Sequence, residues 1–202
     1  MRPETSISYS AGVVFTAVPR LSITVDAYQV DIDDRIVLTD NLTATRSATL
    51  VPSGTNPGLG IATVLNNAGF NTVGAARFFV NGLNSRTRGV DMIATYRVDI
   101  GENGRLNLTA GYNYNETSIR RVLAAPGALG TVPGIVLFGR QEQGRLTRGQ
   151  PRTKINLGLD YKQSWFGMTL RGNRYGKVEG TGGAIGGSSN VFNDNFLQPQ
   201  WV

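Results

Sequence analysis

Basic side chains are concentrated between residues 118 and 154 of this sequence, where Glu142 is the single acid. The cations of this stretch are Arg120, Arg121, Arg140, Arg145, Arg148, Arg152 and Lys154. Such a density of cationic groups raises the local positive potential, which attracts anionic partners. The stretch therefore predicts either a contact for an anionic ligand or a solvated basic surface.

Two other patterns suggest chemistry but are better explained by structure. Asp31, Asp33 and Asp34 supply carboxylates of the kind that bind calcium, yet calcium needs several oxygen ligands from a shaped loop. The glycine-rich stretch from Gly182 to Gly187 is followed by neither GK[ST] nor a helical pattern, so it does not match a phosphate-binding loop. We expect acidic residues at the end of a strand in the first case and a flexible loop in the second.

The chain of 202 residues contains neither cysteine nor histidine. Without cysteine there are no disulfides or thiolate metal sites, and without histidine there are no Ser-His triads and few zinc sites. We therefore expect no enzyme activity, no catalytic residue, no metal and no cofactor. Catalysis by carboxylates alone stays open without positive support.

The net charge of +6 raises the possibility of nucleic-acid binding, but the basic residues are not interleaved with aromatic ones, so we expect no nucleic-acid partner. No run of about 18 apolar residues is present, as a transmembrane helix would require. The first residues, MRPETSIS, lack the apolar segment of a signal peptide. We expect that the first Met is internal to a longer gene or that the chain is a fragment.

The clearest structural pattern lies between Arg105 and Thr117, where apolar and polar residues alternate. Side chains of a strand alternate between two faces, so this segment has one apolar face and one polar face. The run exceeds the five or so residues that are usual in soluble strands and suits the roughly nine to eleven of a membrane-crossing strand. The pattern predicts the wall of a lipid-facing β-barrel.

Similar alternation predicts six long strands in all, with a seventh beginning at Trp201-Val202. They cover Ser6–Thr16, the segment from Leu21, about Phe78–Tyr96, Arg105–Thr117, Lys154–Tyr161 and Phe166–Arg171. In the second strand the apolar residues change face at Tyr28, through either a β-bulge or a strand that rises above the membrane. Asp91 and Asp160 are predicted to face inward, where they line the lumen or pair with Arg97 or Arg171.

Short turns alternate with long loops along the chain, as in bacterial outer-membrane barrels with short periplasmic turns and long extracellular loops. The turns are predicted at 17–20, 101–104 and 162–164. The loops are predicted at 39–74, with a short helix at Ile61–Ala68, at 118–150 and at 177–198. Two aromatic girdles follow from this orientation. Phe15, Tyr96, Tyr161 and Trp165/Phe166 lie at the turn side, and Tyr9, Tyr112 and Tyr114 lie at the loop side.

Five segments, taken together and in order, resemble the later part of the barrel of TonB-dependent outer-membrane receptors. They are PETSISYSAGVVF, RLSITVDAYQVDIDDRIV, RTRGVDMIATY, LNLTAGYNYNETSI and QPRTKINLGLDY. The resemblance implies an all-β fold, an incomplete antiparallel transmembrane barrel of about six long strands, in which residues 1–202 form part of one barrel domain. Complete barrels of this kind have about 22 strands and a plugged lumen. The plug, the signal peptide and the final strands are expected to be missing.

The resemblance further implies active uptake of a nutrient across the bacterial outer membrane, with a ferric siderophore as the default ligand. The implied partners are a small-molecule chelate, outer-membrane lipid with its lipopolysaccharide, and the TonB system acting through the missing plug. Arg120, Arg121, Arg140, Arg145 and Arg148 would then contact the ligand or lipopolysaccharide. Contact with lipopolysaccharide phosphates or solvation is favoured over ligand capture, because barrels of every specificity carry such charges.

Two alternative functions stay open at this point. A passive porin-like or structural outer-membrane barrel would share the strand pattern and lack a plug. A secreted all-β adhesin would bury its apolar faces in a soluble core, so it would stay monomeric and folded in plain buffer.

Overall fold

The structure, a computed structural model, describes residues 1–44, 57–125, 127–132, 134–182 and 192–202. Its elements, in chain order, are β1 (Thr5–Phe15), β2 (Leu21–Leu38), β3 (Leu42–Thr43), α1 (Pro57–Asn67), β4 (Ala75–Ala76), β5 (Phe79–Ile100), β6 (Gly104–Val122), a 3-10 helix (Gly127–Thr131), α2 (Arg140–Thr147), β7 (Thr153–Gln163), β8 (Phe166–Tyr175), β9 (Val178–Gly180), β10 (Asn195–Leu197) and β11 (Gln200–Trp201).

The long strands form one sheet in the order β1-β2-β5-β6-β7-β8-β11. The short strands pair separately, β3 with β4 and β9 with β10. The prediction of an all-β wall with six long strands is confirmed. The predicted seventh strand is also present, since Trp201 of β11 pairs with Arg174 of β8.

Antiparallel pairing of β6, β7 and β8 gives the sheet an apolar and a polar face, because residues directly opposite each other share a face. The apolar face takes Leu106, Leu108, Ala110 and Tyr112 from β6, Ile155, Leu157, Leu159 and Tyr161 from β7, and Met168 and Leu170 from β8. The polar face takes Asn107, Thr109, Gly111 and Asn113 from β6, Lys154, Asn156, Gly158 and Asp160 from β7, and Thr169, Arg171 and Asn173 from β8. This alternation is the predicted one.

At Tyr28 the apolar residues of β2 move from one face of the sheet to the other. The side chains of the strand nevertheless continue to alternate regularly between the two faces there. A Cβ added at Gly89 would lie 2.3 Å from the Tyr28 ring, and Asn115 donates a hydrogen bond to the Tyr28 hydroxyl at 3.2 Å. Gln29 instead bonds to Arg88, whose side chain leaves β5 on the face opposite to position 89. Of the two explanations left open, a bulge at Tyr28 disagrees with these contacts, and a strand that continues beyond its apolar part, as one that rises above the membrane would, agrees with them.

The described chain divides into two compact units. Residues 1–6, 32–85 and 119–143 form one, here called the loop unit. Residues 7–31, 86–118 and 144–202 form the other, here called the strand unit.

The loop unit has a hydrophobic core of its own. Leu42, Ile61, Val80, Leu137 and Phe138 are each no more than 8% exposed. Gly82 lets the Phe138 ring approach the backbone, since a Cβ there would lie 2.0 Å from that ring. Segments that were predicted as loops thus pack against each other as a folded structure.

Helix α1 is the predicted short helix. Pro57 is its first residue, where the missing N–H costs no hydrogen bond. Gly69, with a φ of 85°, follows its last turn and donates to the Asn66 carbonyl at 2.9 Å. A left-handed glycine of this kind is a common helix terminator.

Asp34 takes a left-handed backbone conformation inside β2, with a φ of 54°. Two asparagines of β5 stabilise it from the side. The Asn84 side chain accepts from the Asp34 N–H at 3.1 Å, and the Asn81 amide donates to the Asp34 carbonyl at 2.6 Å. The irregular point of β2 is therefore Asp34.

Arg77 links two of the loop segments. Its Nε donates to the Thr39 carbonyl at 2.9 Å, and its Nη2 pairs with Glu142 at 2.6 Å. The Asp40 carboxylate accepts from the Gly139 N–H in the same unit, and the Asp40 N–H donates to the Leu137 carbonyl at 2.8 Å. Polar contacts thus join the segment after β2 to the segment before α2.

We predict that Gly89→Ala destabilises the strand unit by about 1–3 kcal/mol, because the new methyl group must displace the Tyr28 ring and its bond to Asn115. The control is Gly158→Ala on the polar face, where an added Cβ would meet Thr109 at an ordinary 3.6 Å. Urea unfolding in detergent measures both variants. Equal midpoints would contradict the proposed close approach.

Arg77→Ala should weaken the loop unit locally by about 1–3 kcal/mol, since it leaves the Thr39 carbonyl and the Glu142 carboxylate with one partner fewer. Amide hydrogen exchange at Asp40 and Gly139 measures the effect and should become roughly tenfold faster. Arg121→Ala, at an exposed position of the same unit, is the control. Unchanged exchange in the Arg77 variant would show that this link carries no stability.

Candidate functional site

The five arginines that the sequence singles out fall into both units. Arg120, Arg121 and Arg140 belong to the loop unit, and Arg145 and Arg148 belong to the strand unit. Arg120 and Arg121 are exposed near the end of β6, and Arg140 and Arg145 are part of α2. Of the five, Arg148 lines a cleft.

The cleft has a volume of about 360 Å³ and lies within the strand unit. Its lining residues are Arg148, Gln150, Arg152, Thr153, Lys177 and Glu179. They come from the segment between α2 and β7, from the first residue of β7, and from the segment that includes β9. The second and third long loops therefore meet here.

Arg148 and Glu179 form an ion pair across the cleft at 2.8 Å. The Glu179 N–H also donates to the Arg148 carbonyl at 3.1 Å, so the two segments are joined by backbone as well as side chain. The Glu179 side chain is 20% exposed and that of Arg148 is 39% exposed. This pair holds the cleft together and leaves little net charge of its own.

The other two cations of the cleft have different partners. Arg152 pairs with Glu116 at 3.0 Å. The Lys177 ammonium lies 4.0 Å from the centre of the Phe196 ring, and no carboxylate of the described residues pairs with it. With both ion pairs counted, the charge of Lys177 is left over.

The cleft is therefore suited to a small anionic group. Its lining residues include three cations, the polar Gln150 and Thr153, and the single acid Glu179, which is paired with Arg148. Hydrogen bonds between ionised partners are about twice as strong as neutral ones, and arginine presents them in pairs. The chemistry that this arrangement supports is anion binding.

Two glycines let the two loops come this close. A Cβ at Gly176 would lie 2.4 Å from the Thr153 hydroxyl, and the Gly176 N–H donates to the Thr153 carbonyl at 2.8 Å. A Cβ at Gly144 would lie 1.9 Å from the Thr181 hydroxyl. Larger residues at either position would force the third loop away from the second.

Sequence reasoning missed Lys177, Glu179, Gln150 and Thr153, although a usable signal was present. In the β7–β8 hairpin Lys154 pairs with Tyr175. Because antiparallel partners have a constant sum of residue numbers, continuing this register places Lys177 opposite Arg152. The hairpin register thus identifies Lys177 as a neighbour of the arginine stretch.

Two of the three predicted acidic positions, Asp31 and Asp34, form ion pairs with arginines. Asp31 pairs with Arg86 at 2.6 Å, and Asp34 pairs with Arg2 at 3.6 Å. In the part of the chain that the structure describes, no three Asp or Glu side chains come together as a metal site would require. Asp31 and Asp34 thus each pair with an arginine of their own unit.

Asp91 and Asp160 lie on the polar face, as predicted. Asp91 accepts a hydrogen bond from Asn113, and Asp160 accepts one from Thr169 at 2.7 Å. Their partners are neutral neighbours on adjacent strands, so of the two predicted alternatives the structure favours a place on the polar face over pairing with Arg97 or Arg171.

Most of the glycine-rich stretch lies outside the described residues, which resume at Phe192. Its first residue, Gly182, donates its N–H to Asp194 at 2.8 Å. Within the described ranges, neither α-helix combines the length and apolarity of a membrane span.

Comparison with known proteins identifies the fold family. No curated protein matches the chain. The model of the family described as "TonB dependent receptor-like, beta-barrel" matches residues 1–201, which is nearly the whole sequence. The strand order, the alternating faces and this match together show that the chain belongs to the TonB-dependent receptor-like β-barrel family.

Proposed function

We propose that the chain is part of the barrel of an outer-membrane receptor that takes up an anionic ferric chelate, such as a siderophore, with energy supplied through TonB. The family is of the outer-membrane type. The observation that carries the ligand class is the cleft in which Lys177, with no carboxylate partner among the described residues, adds its positive charge to those of Arg148 and Arg152.

The faces of the sheet support placement in a membrane. Leu157 is 46% exposed and Leu170 is 55% exposed on the apolar face. A soluble protein rarely leaves a continuous surface of this kind in water. In the proposal this face contacts outer-membrane lipid, and the polar face lines the lumen.

The proposal treats residues 1–202 as one section of a larger barrel wall. The chain binds and passes its ligand without converting it chemically, so it has no enzyme activity, cofactor or nucleic-acid partner. Coupling to TonB would be made by a plug outside this sequence. Arg120, Arg121, Arg140 and Arg145 remain candidates for contact with the ligand or with lipopolysaccharide.

Ferric citrate and a neutral ferric trihydroxamate are suitable probes, because they carry the same metal in chelates of different charge. Cells that express the whole receptor should accumulate labelled iron from ferric citrate only when TonB is present. Accumulation that is equal with and without TonB would contradict the proposal and favour a passive porin-like barrel.

We predict that Lys177→Gln reduces binding of ferric citrate by about fivefold to tenfold, close to 1–1.4 kcal/mol. The loss follows from removing the one cleft cation that has no carboxylate partner. Lys162→Gln, which makes the same charge change at an exposed position of β7, is the control. Equal losses in both variants, or an equal loss for the neutral chelate, would remove the cleft from the proposed binding site.

A further inference from the structure

The apolar face of the sheet becomes polar along β2 and β5 in the direction of the loop that joins them. On β2, Val25 and Ala27 are followed on the same face by Gln29 and Asp31. On β5, Met92 and Val90 are preceded on the same face by Arg88 and Arg86. Because both strands change within one step of the alternation, the boundary crosses these two neighbouring strands at the same level.

The four polar side chains beyond this boundary, Gln29, Asp31, Arg86 and Arg88, are called the polar belt here. Arg86 donates two hydrogen bonds to Asp31, at 2.6 and 3.2 Å. The Gln29 amide donates to Asp31 at 2.7 Å and accepts from Arg88 at 2.8 Å. One connected network therefore orients both guanidinium groups.

The charges of the polar belt do not cancel. Asp31 is paired with Arg86, whereas Arg88 is exposed and donates to the uncharged side-chain amide oxygen of Gln29. The belt therefore carries one net positive charge. A guanidinium presents a fork of N–H donors that matches the geometry of a phosphate. Since Arg86 already donates two hydrogen bonds to Asp31, Arg88 is the guanidinium of the belt that is suited to this contact.

The belt lies on the side of the sheet that faces lipid in the proposed function. The opposite side at the same level contains Tyr28 with Gly89 and Asn115, and Thr87 bonded to Thr117 at 2.8 Å. Two residues of a strand advance about 7 Å, so Arg88 lies that far beyond Val90, the last apolar residue. A head group at the edge of the hydrocarbon layer would be at this height.

We propose that the polar belt binds a phosphate group of lipid A in the lipopolysaccharide of the outer leaflet, with Arg88 as the main contact and Gln29 as its positioning residue. The inference rests on the proposed function for the membrane placement and for the orientation of the long loops toward the cell exterior. Charge complementarity decides the occupant, because the belt carries one net positive charge and the lipid A head group carries phosphates.

The test uses the whole receptor, reconstituted in nanodiscs that contain diphosphoryl lipid A in phosphatidylcholine. Native mass spectrometry measures the lipid A retained by each receptor. Arg88→Gln should lower retention by about fivefold, through loss of a charged fork at the head group, and Arg88→Lys should give an intermediate loss. Arg97→Gln, on the same strand but on the other face, should leave retention unchanged.

Equal retention by the Arg88→Gln variant and the unmodified receptor would overturn the assignment. The same conclusion would follow if phosphatidylglycerol at equal charge density were retained as well as lipid A and lost equally in the variant, because the belt would then be a general anionic-lipid surface. TonB-dependent iron accumulation is measured in parallel. Its persistence alongside unchanged lipid A retention would reject the belt while leaving the proposed function in place.

Discussion

The cross-strand register of β6, β7 and β8 is the constraint on which the rest of the structure depends. Since side chains alternate with a period of two, a slip of one residue would exchange the two faces of a strand. Leu108 opposite Leu159, and Leu159 opposite Leu170, keep the apolar residues together. The same register brings Gly176 beside Thr153 and so determines where the third long loop begins.

The loop unit depends on a different interaction, the burial of apolar side chains contributed by segments far apart in sequence. Leu42, Val80 and Phe138 come from three such segments and are almost fully buried. Buried Thr39 and Ser85 are satisfied, since Phe78 donates to the Thr39 hydroxyl at 3.3 Å and Arg35 donates to the Ser85 hydroxyl at 3.1 Å. A receptor whose loops are already folded loses less conformational entropy when a ligand binds.

Alternation made the long strands and their two faces predictable, because period-two patterns of this length are hard to mistake in β6 and β7. Helix α2 was not predicted, since its sequence RQEQGRLT is polar almost throughout and has no apolar stripe. The features that stabilise this helix are recognised only once the structure is known. Glu142 in the first turn and Arg145 in the last turn interact favourably with the helix dipole, and Gly144 permits close packing. The cleft was predicted in part, as an arginine-rich stretch, because its other half comes from a separate loop.

The distribution of ion pairs is similar in the two surfaces that we propose as anion-binding sites. In the cleft, Glu179 and Glu116 neutralise Arg148 and Arg152, and Lys177 is left with a charge. In the polar belt, Asp31 neutralises Arg86, and Arg88 is left with a charge. A site whose cations were all paired would offer an anion no net attraction, and a site with none paired would repel itself. One surplus cation beside an ion pair avoids both outcomes, since the pair would orient the site and the surplus charge would attract the anion.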